Sequence, residues 1–433
     1  MADSPLSVAP PADRPLAVAY WPTASLVPDP RNARTHPKRQ IDQIAASIRA
    51  FGFTNPVLAE PSGKVIAGHG RLLAAKQLGL AEVPVIEIAG LSDAQVRALR
   101  LADNKIALGA SWDVEILKLE LADLSLPDID IDLGLTGFSS GEIDVILKDS
   151  EDPDDEVIPA VPENPRTMPG DIWQLGEHRI GCGDGREIAF LREVIGEGAI
   201  DAAFLDPPYN VKINGHANAK GRHREFAMAS GEMTTSAFRT FLSETLGACA
   251  QVSRPGAVHF VCMDWRHMDD LSAAATPVYD TLLNMCMWNK SNAGMGSLYR
   301  SKHEMVFVYR VPGATHTNTV ELGMHGRNRT NVWDYASVNS MRGSRREDLA
   351  LHPTVKPVAM VADAICDVTR QGELVLDIFL GSGTSLIAAE RVGRRFRGVD
   401  IDSAYVDVAI TRWEQLTGKQ AVLAHREAAE AAE

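Results

Sequence analysis

Val375-Leu376-Asp377-Ile378-Phe379-Leu380-Gly381-Ser382-Gly383-Thr384 is the stretch on which the fold turns. The run from Leu374 to Leu380 has the apolar pattern of a buried strand. Gly381-Ser382-Gly383 then permits close backbone approach to a ligand, and Thr384 and Ser385 can cap the helix that continues through Leu386 to Glu390. Strand, glycine turn and helix together are a unit of a doubly wound α/β sheet, which binds ligands beyond the carboxyl ends of its strands. A lone G-x-G would equally serve as a plain strand-to-helix turn.

Two further features favour a ligand. No third glycine follows to bring a dinucleotide pyrophosphate onto the helix, which counts against a nicotinamide cofactor. Arg397-Gly398-Val399-Asp400 reads as the next strand, and it ends in an acid 19 residues after Gly381. Asp400 is thereby placed to accept hydrogen bonds from ribose hydroxyls, and Asp377 to meet an amino group. A nucleoside that carries an amino acid is S-adenosylmethionine. Alone, Asp400 would be an ordinary solvated acid at a strand end.

A second acid-tipped strand lies upstream. Asp206-Pro207-Pro208-Tyr209 closes the apolar run Ala202-Ala203-Phe204-Leu205, so the Asp206 carboxylate is expected at the same sheet edge. Pro207 and Pro208 lack N–H donors and offer carbonyl oxygens on a stiff backbone. The nitrogen of an aryl amine is a poor nucleophile because its lone pair is delocalised into the ring. Hydrogen bonds from its N–H groups to Asp206 and the Pro207 carbonyl would free that pair, while Tyr209 offers a face for stacking. A base in a duplex must first be flipped out, costing a few kcal/mol, and aromatic stacking returns roughly 1–3 kcal/mol. The bland reading, a turn after a strand, does not account for all four residues together.

Bulk properties agree with a multidomain globular protein. The 433 residues exceed one average domain, and 45% are apolar. A net charge of −14 argues against polyanion binding by the whole surface but leaves room for a local basic cleft. The five cysteines are scattered, and neither they nor the histidines have metal-ligand spacing, so no metal site is expected. No stretch is apolar enough to span a membrane or to act as a leader, and a cytoplasmic, nucleoid-associated protein is expected.

The chain divides as follows. Residues 1–15 are read as disordered, and 16–135 as a small mixed α/β domain. Residues 136–169 are read as an extended linker, from the acidic run Asp149 to Glu156 and prolines at 159, 162, 165 and 169. Strands and helices alternate over 170–423, and 424–433 form a tail.

From 170 to 423 the sequence closely resembles the amino-methylating DNA methyltransferases of the β order, in which the catalytic motif precedes the cofactor motif. The resemblance rests on Gly170-Asp171-Ile172-Trp173 leading into Cys182-Gly183-Asp184, on Asp206 to Asn210, on His352-Pro353-Thr354-Val355-Lys356-Pro357, and on Asp377, Phe379, Gly381, Gly383 and Gly398 to Asp402. It implies a Rossmann-like domain with a circularly permuted motif order. It also implies methyl transfer from S-adenosylmethionine to adenine N6 or cytosine N4 of double-stranded DNA; the aspartate that opens the first motif, with this domain order, favours adenine. Carried over, Asp206, Pro207, Pro208 and Tyr209 hold the target base. Asp377, Phe379, Gly381, Gly383, Thr384 and Asp400 line the cofactor pocket, flanked by Asp184, Thr354 and Lys356. The family often has glutamate where Asp400 stands. Its target-recognition segment would fall at about 265–350.

Two basic clusters are candidates for DNA contact. Lys212, Lys220, Arg222 and Arg224 form one, and Arg327, Arg329, Arg342, Arg345 and Arg346 the other. For any single member a solvated surface role is at least as good a reading.

Residues 17–110 resemble the N-terminal domain of ParB-type partition proteins, through Arg34-Thr35-His36, Asn55-Pro56-Val57, Gly68-His69-Gly70-Arg71 and Leu101 to Lys105. In that family the turn at Gly68 to Arg71 carries two consecutive arginines and helps bind CTP; here Gly70 replaces the first. A nucleotide site at Gly68, His69, Gly70 and Arg71 competes with a packed strand-to-helix turn. The family's helix-turn-helix domain is expected to be absent, because few residues separate Lys105 from the acidic run. DNA engagement, homodimerisation and nucleotide sensing are the roles this domain admits. A different class of reading, a nucleotide-switched DNA-binding protein with an inactive methyltransferase-like scaffold, is disfavoured by two intact motifs.

Overall fold

Short strands and a left-handed glycine organise the first 139 residues. In the computed structural model, the described residues are 16–126, 129, 131–147, 153–211, 231–291, 298–322, 329–336 and 355–426. They fall into two compact units, Met1–Ser139 and Ser140–Glu433.

In the first unit β1 (Val18–Pro22), β2 (Val57–Ala59), β3 (Val65–Ala67) and β4 (Glu82–Glu87) form a sheet of order β1-β4-β2-β3. Helix α1 (Lys38–Phe51) ends at Gly52, whose positive φ stops it. Helix α2 (His69–Gln77) starts directly after β3, and α3 (Asp93–Ile106) is capped by Ser92 in a capping box with Gln95. Leu26, Val57, Val65, Leu72, Val83 and Val85 make the core. Helix α4 (Val114–Leu124) follows, capped by Asp113.

The second unit holds a ten-stranded sheet of order β11-β9-β10-β8-β7-β12-β13-β6-β5-β14. Its parallel centre is β8 (Ser253–Met263), β7 (Ile200–Leu205), β12 (Leu374–Asp377), β13 (Arg395–Asp400) and β6 (His178–Cys182). Beyond β8 lie β10 (His303–Arg310) and β9 (Thr281–Asn289), each antiparallel to its inner neighbour, and then β11 (Val332–Asp334). Beyond β6 lie β5 (Ile172–Leu175) and β14 (Val422–His425). The helices are α5 (Ser140–Leu147), α6 (Ile188–Ile195), α7 (Thr235–Gln251), α8 (Met268–Ala275), α9 (Val358–Val368), α10 (Thr384–Arg391) and α11 (Ser403–Thr417). The parallel strands read as near-continuous apolar runs because both faces are covered: one core gathers Phe204, Phe260, Val361, Phe396 and Trp413, the other Leu205, Phe238, Leu246, Val261 and Leu376.

One boundary differs from the sequence reading. Residues 140–147 were expected within an extended linker, yet they form α5, with Ile143 buried and Asp144 paired to the buried Arg394 at 2.6 Å. Asp155, near the end of the acidic run, is likewise paired, with Arg391.

The strand β7 lies beside β12, although about 170 residues separate them. The chain runs outward from β7 to β8 and from β12 to β13, so the sheet changes direction at this seam. Asp206 and Asp377 tip the two strands that flank it.

Candidate active site

Three acids end three adjacent parallel strands: Asp206 after β7, Asp377 on β12 and Asp400 on β13. Parallel register brings them to one edge, and burial makes each costly to ionise.

Around Asp206 the charges are arranged in pairs. The Lys356 ammonium donates to Asp206 Oδ2 at 2.6 Å and lies 2.7 Å from Glu304 Oε1. Lys290 donates to Glu304 Oε2 at 2.6 Å. The Tyr209 hydroxyl lies 2.8 Å from Asp206 Oδ1 and also reaches Glu304. Two acids and two lysines thus balance in a space where an isolated charge would be very unfavourable. Burial and the neighbouring Glu304 raise the Asp206 carboxyl, opposed by Lys356. Burial also works against Glu304, but Lys356 and Lys290 outweigh it and hold that carboxyl down at about 2. Asp206, Cys262 and Glu304 are close enough to suggest a metal cluster, but Lys356 already supplies the cation between the two carboxylates.

Sequence reasoning did not find Glu304 or Lys290. Glu304 begins an apolar strand instead of ending one; because β10 runs antiparallel to β8, pairing Met305 with Met263, its start lies at the same edge. A charged residue heading a run of Met305, Val306, Phe307 and Val308 was the available signal. Lys356, expected beside the cofactor, has its ammonium on Asp206 instead.

The glycine turn forms the neighbouring half of the site. Asp377 accepts from the Phe379 N–H at 2.9 Å and from Ser385 Oγ at 2.7 Å. Asp400 accepts from the Gly381 N–H at 2.8 Å and from the Asp402 N–H at 2.9 Å. These bonds do not offset burial: the Asp377 carboxyl is pushed up to about 7 and the Asp400 carboxyl to about 6. Gly383 has φ +80°, and a Cβ there would meet Ala409 of α11 at 2.8 Å, so only glycine lets the turn sit this close to the helix. Thr384 opens α10 and is buried. Asp184, at the end of β6, is gripped by the Arg186 guanidinium at 3.0 and 2.6 Å, which holds its carboxyl below the usual range.

Asn210 adopts φ +53°, unusual for a residue with a side chain. Its side chain donates to the Met233 carbonyl at 2.9 Å and accepts from the Gly231 and Met233 N–H groups. It ties residues 231–233 to the end of the catalytic motif.

Of the expected DNA contacts, Arg329 is committed elsewhere. It donates to Asp367 at 3.0 Å and to Tyr335 Oη at 2.6 Å, and lies 5.3 Å from the Trp333 ring centroid. Lys212, Lys220, Arg222, Arg224, Arg327, Arg342, Arg345, Arg346 and the cofactor-flanking Thr354 lie outside the described residues.

In the first unit the turn Gly68 to Arg71 is packed. His69 is buried and its Nε2 faces the Asp29 N–H at 3.4 Å, while Arg71 donates to the Asn55 carbonyl at 2.9 Å. Asp29 is itself buried, paired with Arg100 and, at 3.1 Å, with Lys64.

Comparison with known proteins agrees with this architecture. The DNA methylase family matches residues 200–411, and the ParB N-terminal domain matches 16–105. A ParB-methyltransferase HTH domain matches 115–169, which corrects the expectation that no helix-turn-helix follows; the spacing argument had assigned the residues of α5 to the linker. The ParB-like nuclease domain-containing protein YnaK of Escherichia coli K12 is 49% identical over 80 residues, 18% of this chain and 92% of that protein. The type II methyltransferase M.HpaI of Haemophilus parainfluenzae is 23% identical over 232 residues, 50% of this chain and 68% of that enzyme. The crystal structure of the M1.HpyAVI–SAM complex superposes with a TM-score of 0.40 at 19% identity, covering 54% of this chain and 97% of that one. Among the described residues no helix is long and apolar enough to cross a membrane. With both motifs on one sheet edge and both profiles in place, the chain belongs to the amino-methylating DNA methylases and carries a ParB-like N-terminal domain.

Proposed function

We propose that the protein transfers a methyl group from S-adenosylmethionine to the N6 amino group of an adenine flipped out of double-stranded DNA. The observation that carries this reading is the seam between β7 and β12, where a carboxylate held by Lys356 and Tyr209 stands beside two buried carboxyls with raised pKa.

The residues fit the cofactor chemically. Burial raises the Asp377 carboxyl to about 7 and the Asp400 carboxyl to about 6, and a ligand bearing positive charge and hydroxyl donors would favour their charged forms. S-Adenosylmethionine, which supplies an electrophilic methyl group on a sulfonium sulfur, bears an ammonium and two ribose hydroxyls. Asp377 would hold the ammonium and Asp400 the ribose, while Gly381 leaves open space above the turn, with only the Phe379 carbonyl within 4 Å of an added Cβ.

Asp206 acts on the other partner. Each of its oxygens already accepts one hydrogen bond and retains a lone pair for an N–H of the base. Drawing the amine protons toward Asp206 and the Pro207 carbonyl pyramidalises the nitrogen and exposes its lone pair for in-line attack. As the N–C bond forms and the S–C bond breaks, the nitrogen sheds one proton to Asp206 or to water. Lys356 keeps Asp206 an acceptor while Glu304 shares that ammonium, so Asp206 is not wholly neutralised. The aspartate that opens the motif supports adenine over cytosine. An enzyme of this kind works on the nucleoid; the ParB-like unit would add DNA engagement, a nucleotide response or a homodimer contact.

The test is to incubate the protein with S-adenosylmethionine and unmethylated duplex DNA, digest, and identify nucleosides by mass spectrometry. N6-methyladenine is the expected product. N4-methylcytosine would keep the mechanism and overturn the base, and no modified nucleoside would favour the inactive-scaffold reading.

A further inference from the structure

The segment just before the methyltransferase sheet reaches both halves of the site. Asp155 is clamped by Arg391 of α10, with Nε 2.9 and 3.0 Å from its two oxygens and Nη2 2.5 Å from Oδ1. Its backbone carbonyl accepts from Arg412 Nη2 at 2.5 Å. Arg412 is only 4% exposed, and its other terminal nitrogen donates to the Ser382 carbonyl at 3.0 Å and to Thr384 Oγ1 at 3.3 Å. One guanidinium therefore joins residue 155 to the middle of the glycine turn. Arg412 stands one helical turn after Ala409, the residue that packs on Gly383, so a single face of α11 supports the turn twice.

The next residue reaches the other half. Glu156 Oε1 accepts the Val358 N–H at 2.7 Å, an amide at the start of α9 that no helix carbonyl can serve. Val358 is two residues from Lys356, whose ammonium holds Asp206. Farther along, Thr167 Oγ1 and the Arg166 N–H donate to Asp407 of α11 at 2.5 Å each, and Ile158 is buried. A spacer would leave such charges in water.

We infer that Asp155 and Glu156 form a strap that positions the methyl-transfer site, fixing the glycine turn through Arg412 and the Lys356 backbone through the first amide of α9. The strap lies within the stretch matched by the ParB-methyltransferase HTH domain, so that domain ends inside the catalytic architecture. Its connection to methyl transfer rests on the function proposed above; its effect on the turn does not.

Three readouts on the full chain test it: amide hydrogen exchange at Gly381–Thr384 without ligand, S-adenosylmethionine affinity by calorimetry, and kcat at saturating cofactor. Arg412→Lys keeps the charge but loses the fork, so exchange at the turn should rise and affinity fall about tenfold each, with kcat nearly unchanged. Glu156→Ala should lower kcat about tenfold with affinity unchanged, and Glu156→Gln, which retains an acceptor oxygen, should restore it. If both variants lower only the thermal midpoint, leaving turn exchange, affinity and kcat as in the wild type, the strap is a packing element and the inference fails. A wild type that binds no S-adenosylmethionine would refute the functional reading instead, and exchange at the turn would still decide the strap.

Discussion

The chain contains two glycine turns of similar local form, and they differ in the charge that surrounds them. Gly68-His69-Gly70-Arg71 and Gly381-Ser382-Gly383-Thr384 each follow a short strand and place a left-handed glycine, Gly68 or Gly383, at the N-cap of a helix. Packing does not separate them: a Cβ on Gly383 would meet Ala409 at 2.8 Å, and at the first turn one on Gly68 would meet the Arg71 guanidinium at 3.2 Å and one on Gly70 would meet Ile44 and His36 at 3.0 and 3.1 Å. The first turn's buried acid, Asp29, is fully matched; burial pushes the carboxyl up, but the Arg31 N–H, Lys64 and Arg100 hold it below the usual range. At the second, the turn stands beside carboxyls that burial, with neighbouring acids, pushes above the usual range. The same backbone form therefore stands in two different electrostatic settings, one with cations on its acid and one without.

The largest effect should come from the acid beside the second turn. Asp206→Ala should lower kcat on the order of a thousandfold, about 4 kcal/mol of transition-state stabilisation, while cofactor affinity stays within a few-fold. Turnover near the wild-type rate would remove Asp206 from the chemistry. At the first turn, Asp29→Asn should leave Arg100 buried without its counter-charge and cost about 3 kcal/mol of stability in the first unit, read by denaturant unfolding, with cofactor affinity unchanged. A loss of affinity there would show that the two turns are not independent.

Smaller effects should follow Asp400 and pH. Asp400→Ala should weaken S-adenosylmethionine binding by about 10- to 100-fold in calorimetry, roughly 1.4–2.8 kcal/mol, and an unchanged affinity would break the ribose assignment. A ligand that needs Asp377 and Asp400 charged binds best above about pH 7 and loses affinity as pH falls through 7 and then 6. Without ligand the sign reverses for stability. The folded chain retains protons that the unfolded chain has released, so these two groups make it less stable as pH rises from about 4 to 7. Calorimetry across this range, with Asp377→Asn as control, separates the two trends.

Much of this was legible in sequence because it is local. An apolar run tipped by Asp206, Asp377 or Asp400 states its own position in a parallel sheet, and Gly52 and Ser92 mark helix ends within a residue or two. What was hidden depends on partners far along the chain. Glu304 belongs to the site only because β10 is antiparallel, a fact of topology. Asp144 and Asp155 read as part of a solvated spacer because their partners, Arg394 and Arg391, lie more than 230 residues away. Arg329 looked free for DNA because Asp363, Asp367 and Tyr335 cannot be assigned to it without the fold.

The adjacency of β7 and β12 has a consequence for how such a protein can change over generations. Everything from Asp206 to Glu373 departs from one strand and returns to its immediate neighbour, about 4.8 Å away across a single ladder. Within that excursion Lys290 and Glu304 stay with the site at the end of β9 and on β10, while the connections between strands can lengthen at small entropic cost without moving either strand of the seam. Length and seam are therefore separately heritable: a lineage can vary those connections while the strands that carry Asp206 and Asp377 stay side by side.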